Sequence, residues 1–303
     1  PGQGSQRPGM GIPWRDHPSW QLVDQLSGVV SRDLADLLLD ASPETLRATR
    51  NAQLATYTLS LVALDAARNG PLGDGTLPEE LAAVAGHSLG EYTALVAAGA
   101  LSASEGATLV QARGEAMQSA AEANPGTMAA VIGLELEGVA EACREVEGAW
   151  VANDNSPGQV VIAGTLQGVE GASAASLKGG AKRVIPLQVG GAFHTPLMQP
   201  AQAPLDAALA AAEFAPASWP VVANVDANAH TDDYRSLLSA QLCSQVRWRA
   251  SLLALAGMGA KLFVELGPGT ELSGMVRRTV PDAARLNVAG PEDLEALASA
   301  ISS

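Results

Sequence analysis

The sequence predicts an α/β fold, in which a larger domain with a parallel sheet is interrupted by a small ferredoxin-like (βαββαβ) subdomain. Three observations carry this expectation. The apolar run Leu81 to Ala85 ends in Gly86-His87-Ser88-Leu89-Gly90 and leads into the helix-like run Glu91 to Ala98, the strand–turn–helix order of an α/β unit. Between about Thr127 and Val189 the pattern reads strand, helix, strand, strand, helix, strand. Beyond that segment an apolar strand, Val221 to Val225, and a helix–strand–loop unit ending in Phe263-Val264-Glu265-Leu266-Gly267-Pro268-Gly269 resume the larger domain.

In chain order, Gln21 to Ala66 reads as helices with polar faces, and Asn69-Gly70-Pro71-Leu72-Gly73-Asp74-Gly75 as a loop. Ser102 and Glu105 form a capping-box pattern at the head of a helix from Ala103 to about Glu122, which stops before Asn124-Pro125-Gly126. In the subdomain, strands are expected at Met128–Leu134, Trp150–Asn153, Gln159–Gly164 and Ala181–Pro186, with helices at Leu136–Val146 and Leu166–Lys178. The turn Asn155-Ser156-Pro157-Gly158 separates the middle strands. The loop Gly190 to Pro200 and a helical run through Ala212 follow. The larger domain is thus expected over residues 1–126 and 190–303, and the subdomain over 127–189.

Composition limits the function classes. A chain of 303 residues with 47% hydrophobic content can bury a substantial core. No apolar run approaches the roughly 18 residues of a membrane span, so a soluble, cytoplasmic protein is expected, with no membrane partner. Pro1 opens on the turn-like PGQG without an initiator Met, so a segment is expected to precede it. The net charge of −14 argues against nucleic acid as a partner. Cys143 and Cys243 lie far from any metal-ligand spacing and read as free thiols, and no metal is expected.

The glycine-flanked Ser88 carries the chemistry. Glycines admit a strained turn that exposes a serine hydroxyl, and the following helix N-terminus presents backbone N–H groups to an oxyanion; this unit makes the larger domain α/β-hydrolase-like. A serine nucleophile needs a base, and only His17, His87, His194 and His230 exist. His87 adjoins Ser88 on a strand, which turns its side chain the other way and favours a packing role. His17 and His230 lie in polar segments. His194, in the glycine-bounded loop Gly190 to Pro196, is the expected base. No Asp or Glu announces itself as a third member, so a backbone carbonyl is the alternative partner, and such a dyad suits a thioester. Arg113 shares a helix face with Leu109 and Met117. A buried guanidinium needs a partner, which either an internal salt bridge or a substrate carboxylate would supply, unless the side chain snorkels to the surface.

Taken together, PGQGSQ (Pro1–Gln6), GHSLGEYTAL (Gly86–Leu95), QARGEAM (Gln111–Met117), NDNSPGQVVIAG (Asn153–Gly164), GAFHTPLM (Gly191–Met198) and VELGPG (Val264–Gly269) resemble the malonyl-CoA:acyl-carrier-protein transacylases. That family includes the acyltransferase domains of polyketide synthases. The resemblance implies a malonyl transfer from malonyl-CoA through an ester on Ser88 to the phosphopantetheine thiol of an acyl carrier protein, in fatty-acid or polyketide synthesis and without a cofactor. It makes His194 the base, the N–H groups of Gln3 and Leu89 the oxyanion hole, and Arg113 the clamp for the malonyl carboxylate. His87, Met117, Phe193 and Arg247 would line the substrate pocket. It also implies that a main-chain carbonyl near Val246-Arg247-Trp248 orients His194, although Arg247 stands where the family usually has Gln. Phe193 and Leu89 imply malonyl rather than methylmalonyl, because a phenyl ring against the α-carbon leaves little room for a branch. Lys182 with Arg183, and Arg277 with Arg278, would supply local positive charge for acidic partners. A serine hydrolase or thioesterase, or a transferase of another acyl group, would share the serine and histidine.

Overall fold

The computed structural model describes residues 1–73, 78 and 81–301. The last two residues of the expected loop, Asp74 and Gly75, lie outside the described residues.

Nine strands are described. Val84–Ala85 (β1), Val221–Val222 (β6) and Ala229–His230 (β7) form one sheet, with β1 parallel to β6 and β6 antiparallel to β7. Thr127–Ile132 (β2), Ala149–Ser156 (β3), Gln159–Gly164 (β4) and Arg183–Pro186 (β5) form a second, in the order β3-β4-β2-β5 with every neighbour antiparallel. Leu262–Leu266 (β8) and Ala284–Val288 (β9) form a parallel pair.

The second sheet is the ferredoxin-like subdomain, and its period-2 alternation buries both faces. Ala129, Val131, Val160 and Ile162 pack under the helices Leu136–Arg144 and Leu166–Lys178 with Val139, Cys143 and Ala172. Met128, Ala130, Val161 and Ala163 join the core of the larger domain instead. Two register shifts in β3, between Val151 and Asn153 and between Asp154 and Ser156, mark bulges. Main-chain bonds from Asp154 N–H to the Val246 carbonyl and from Val246 N–H to the Ala152 carbonyl, both 2.9 Å, fasten this edge to the larger domain.

Two strands are shorter than the apolar runs suggest. Of Leu81 to Ala85 only Val84 and Ala85 pair, because Pro220, which would face Ala83, has no N–H to extend the ladder. Of Val221 to Val225 only the first two residues are strand; Ala227 turns the chain at φ 60° and β7 returns beside β6. The pair partner β9 carries no signal strong enough to be read in advance, because a short parallel edge strand lacks a turn-bounded hairpin pattern.

The helix Thr49–Arg68 departs from the expected polar face. It is buried on nearly every side, with Gln53, Thr56, Thr58 and Ser60 inside, because neighbouring helices and β8 enclose it. The helix Ala103–Ala123 packs along it. Ser102 caps that helix by accepting the Glu105 N–H at 3.1 Å. The Glu105 carboxylate does not complete the box; it accepts the Glu213 N–H at 2.6 Å and holds a distant loop.

Candidate active site

Chain geometry at the end of β1 begins with Gly86. A Cβ there would stand 1.9 Å from the backbone of Gly90, so the turn closes only around glycine. Ser88 follows with φ 52°, in the left-handed region that L residues rarely enter. The helix Gly90–Ala97 starts immediately after, and Glu91 N–H donates to the Ser88 carbonyl at 3.1 Å. The hydroxyl is thereby presented at the tip of the turn.

His194 reaches this tip from the loop ahead of the 3-10 turn Pro196–Ala201, and it too has positive φ, 62°. Its Nε2 lies 2.7 Å from Ser88 Oγ, and its Nδ1 lies 3.0 Å from the Gln241 carbonyl. A carbonyl only accepts, so Nδ1 carries the hydrogen and Nε2 holds a free lone pair for the serine proton. The orienting group is a main-chain carbonyl, as anticipated, but it comes from Gln241 at the end of the helix Tyr234–Gln241, ahead of Val246-Arg247-Trp248. Burial, reinforced by the Arg113 charge, pushes the His194 pKa down to about 3 and keeps the imidazole neutral.

Arg113 is 1% exposed and forms no ion pair among the described residues. Nη1 donates to Gln53 Oε1 at 2.8 Å, while Nη2 donates to Gln241 Oε1 and to Ser88 Oγ, each at 3.0 Å. The ring of Tyr92 lies 5.6 Å from the guanidinium carbon. Nε has no partner, so a buried donor remains available on the fork. Of the readings that spacing allowed, burial excludes snorkelling, and no internal salt bridge forms among the described residues.

Sequence reading missed three residues that build this network, because glutamine and asparagine carry no motif by themselves. Gln241 is fully buried; besides its contacts to Arg113 and His194, its Nε2 donates to the Ser88 carbonyl and to Glu91 Oε2, each at 3.0 Å. Gln53 positions Arg113. Asn224 bonds the Ser88 N–H. Glu91 itself, buried beneath the turn, has its pKa pushed up to about 7 by burial, against the hydrogen bonds from Gln241 and Asn224 and the nearby Arg113 charge.

The dyad opens on a cleft of about 190 Å³ between the larger domain and the subdomain. Gln3, His87, Met117 and Phe193 line it from one side, and Met128 and Asn155 from the other. A Cβ on Gly2 would fall 2.6 Å from the His87 carbonyl, so Gly2 lets the loop carrying Gln3 lie against the serine turn. The N–H groups of Gln3 and Leu89 meet no protein acceptor among the described residues. His87 faces the cleft rather than the core: Nε2 lies 2.9 Å from Asn155 Oδ1, the ring meets Trp248 edge-on, and burial lowers its pKa to about 4.

Arg247 stands apart from the cleft, exposed, with Nη1 donating to the Asp226 carbonyl at 3.1 Å. His17 accepts the Ser19 N–H, and His230 contacts Asp226. Arg278 bonds Ser156 at 2.9 Å and also Gln159, tying the helix Glu271–Thr279 to the β3–β4 hairpin. Arg277 is exposed. No helix among the described residues is long and apolar enough to cross a membrane.

A serine and a neutral imidazole on one cleft, with a buried guanidinium 3.0 Å from the serine hydroxyl, can carry out acyl transfer to and from oxygen. Relatives point the same way. The chain is 40% identical over 303 residues to the malonyl CoA-acyl carrier protein transacylase of Bacillus subtilis, covering 97% of this chain and 93% of that protein. It is 40% identical over 289 residues to the Escherichia coli K12 protein of the same name, covering 92% and 91%. Among solved structures, a malonyl-transacylase in complex with its type II PKS acyl-carrier protein superposes with a TM-score of 0.93 at 34% identity, covering 99% of this chain and 97% of that one. The acyl carrier protein S-malonyltransferase of Vibrio cholerae superposes with a TM-score of 0.91 at 38% identity, covering 98% and 97%. The acyl transferase domain family matches residues 1–296, and with these identities over nearly the whole length the chain belongs to that family.

Proposed function

We propose that this protein is a malonyl-CoA:acyl-carrier-protein S-malonyltransferase working by a ping-pong mechanism. One observation carries the reading: the Arg113 guanidinium, buried and without an ion-pair partner among the described residues, sits 3.0 Å from the hydroxyl that His194 can deprotonate. An acyl group on Ser88 that ends in a carboxylate meets a planar fork suited to it. A hydrolase of neutral acyl chains would have no use for that charge.

In the first half, Ser88 Oγ attacks the thioester carbonyl of malonyl-CoA as its proton passes to His194 Nε2. Gln3 and Leu89 N–H groups hold the oxyanion. Collapse breaks the C–S bond, and His194 returns the proton to the departing CoA thiolate. In the second half, the phosphopantetheine thiol gives its proton to His194, its sulfur attacks the Ser88 ester, and the proton returns to Oγ as the ester breaks. No cofactor enters the scheme.

The cleft lies where residues 127–189, as a subdomain, would meet a catalytic domain of 1–126 and 190–303, and transfer requires the second thiol to outcompete water for the ester there. Phe193 lines the cleft and leaves little room for a branch at the α-carbon, which favours malonyl, whereas the Leu89 side chain lies in the core and the residue contributes its N–H. The cytoplasm is the compartment assigned, in keeping with the free thiols Cys143 and Cys243.

Intact-mass measurement after incubation with malonyl-CoA tests the reading. A malonyl adduct is expected, absent in Ser88→Ala and reduced at least about 10²-fold in loading rate in Arg113→Ala. Free malonate released without an adduct would make the enzyme a hydrolase, and unimpaired loading of Arg113→Ala would remove the carboxylate clamp.

A further inference from the structure

Asn224 has no place in the transfer scheme, yet both polar groups of its side chain and its main-chain N–H are spent around the serine turn. The residue stands two positions beyond the end of β6, after Ala223, and is fully buried. Its Oδ1 accepts the Ser88 N–H at 2.6 Å, and its Nδ2 donates to the Gly86 carbonyl at 2.7 Å. Its own N–H donates to Glu91 Oε2 at 2.9 Å, and its carbonyl accepts the Arg247 N–H at 3.0 Å. One side-chain amide therefore clamps the turn on both flanks of His87, and the main chain ties it to the first turn of the following helix.

Ser88 gains from this clamp because its φ of 52° is a conformation that L residues avoid and that persists only where the surroundings over-determine it. Rotation toward ordinary φ would swing Oγ away from His194 Nε2 and re-aim the Leu89 N–H. We propose that Asn224 is a positioning residue for Ser88, whose amide bridges the Ser88 N–H and the Gly86 carbonyl and so holds the hydroxyl in line with His194. Only a carboxamide supplies an acceptor and a donor at that separation; Asp keeps the acceptor alone, and Ala neither. The proposal rests on Ser88 being the acyl acceptor.

The test compares Asn224→Ala and the isosteric Asn224→Asp with the unmodified protein, each checked for native near-UV circular dichroism. Malonyl loading is expected to lose about 10²-fold in kcat while KM for malonyl-CoA moves less than about threefold, since placement of the reacting atom is lost and substrate contacts are not. Should the Ala variant fail to fold, the Asp variant carries the kinetic comparison. A stability cycle adds a second readout: glycine adopts φ 52° without strain, whereas Ser88 recovers strain energy when the clamp is removed and its φ relaxes, so the Asn224 substitution should lower Tm less with Ser88 present than in a Ser88→Gly background. A folded variant with unchanged kcat, or an equal Tm loss in both backgrounds, overturns the proposal. If Ser88→Gly still forms a malonyl adduct, the transfer reading itself falls; if loading needs Ser88 but proceeds at the normal rate without Asn224, only the positioning role falls.

Discussion

The base, His194, is neutral because the site withholds both water and a counter-charge. Burial comes first and the Arg113 guanidinium second in lowering its pKa from 6.5 to about 3. This has a measurable sign. kcat/KM for malonyl-CoA, which reports the free enzyme, should stay flat from about pH 8 down to about pH 5. Once malonyl occupies Ser88, its carboxylate offsets Arg113, so the imidazolium costs less and the histidine pKa rises. The acid limb of kcat should therefore lie at higher pH than that of kcat/KM. Stopped-flow loading rates across this range check it, and a kcat/KM that halves near pH 6.5 would mean an imidazole in ordinary surroundings.

Elements deliver these side chains through their ends. Ser88 stands between a two-residue strand and a helix, Gln241 closes a helix and Asn224 follows a broken strand, while Arg113 and the Gln53 that positions it come from within helices. The tight joint is Gly86, where an added Cβ overlaps the backbone of Gly90 rather than a side chain that could rotate away. Gly86→Ala should accordingly cost at least about 3 kcal/mol, the upper end of overpacking, read as a lowered urea midpoint. A loss under about 1 kcal/mol would mean that the turn opens cheaply. At Gly28, where an added Cβ meets nothing, the same change has no such cost.

For the whole molecule, the buried titratable groups couple the site to stability. His87 and His194, with folded pKa values of about 4 and about 3, bind protons more readily when unfolded. Their contribution is complete above about pH 6.5 and is lost as pH falls below it. Glu91 acts in the opposite sense: its folded pKa of about 7 exceeds the ordinary 4.5, so its contribution is present at low pH and is lost as pH rises through about 7. Near pH 5 to 6 the two histidines outweigh the one carboxyl, leaving unfolding with a net uptake of about one proton. Glu91→Gln removes the opposing group and should raise that uptake toward two. The pH dependence of the urea midpoint for both proteins measures the difference; equal slopes would mean that Glu91 is ionised in the fold.

Much of this architecture is written locally. The Gly86–Gly90 turn, the βαββαβ order, the Ser102 cap and the choice of His194 from four histidines follow from residue spacing, because turns, caps and periodic faces are properties of neighbouring residues. The family resemblance rests on six motifs in order along the chain. Four features come only from packing. The Glu105 carboxylate holds Glu213 instead of closing the expected box; Gln241 supplies the carbonyl for His194; Gln53 lies inside a helix that reads as half polar; and Asn224 sits just beyond the early end of β6. A buried amide has no pattern of its own in the chain, since its partners are 60, 128 and 136 residues away. The sequence by itself determined which residue types can react and the order of the elements that carry them. The tertiary structure decided which polar groups hold them in place, because only burial removes the water that would otherwise satisfy those groups and makes their mutual hydrogen bonds obligatory.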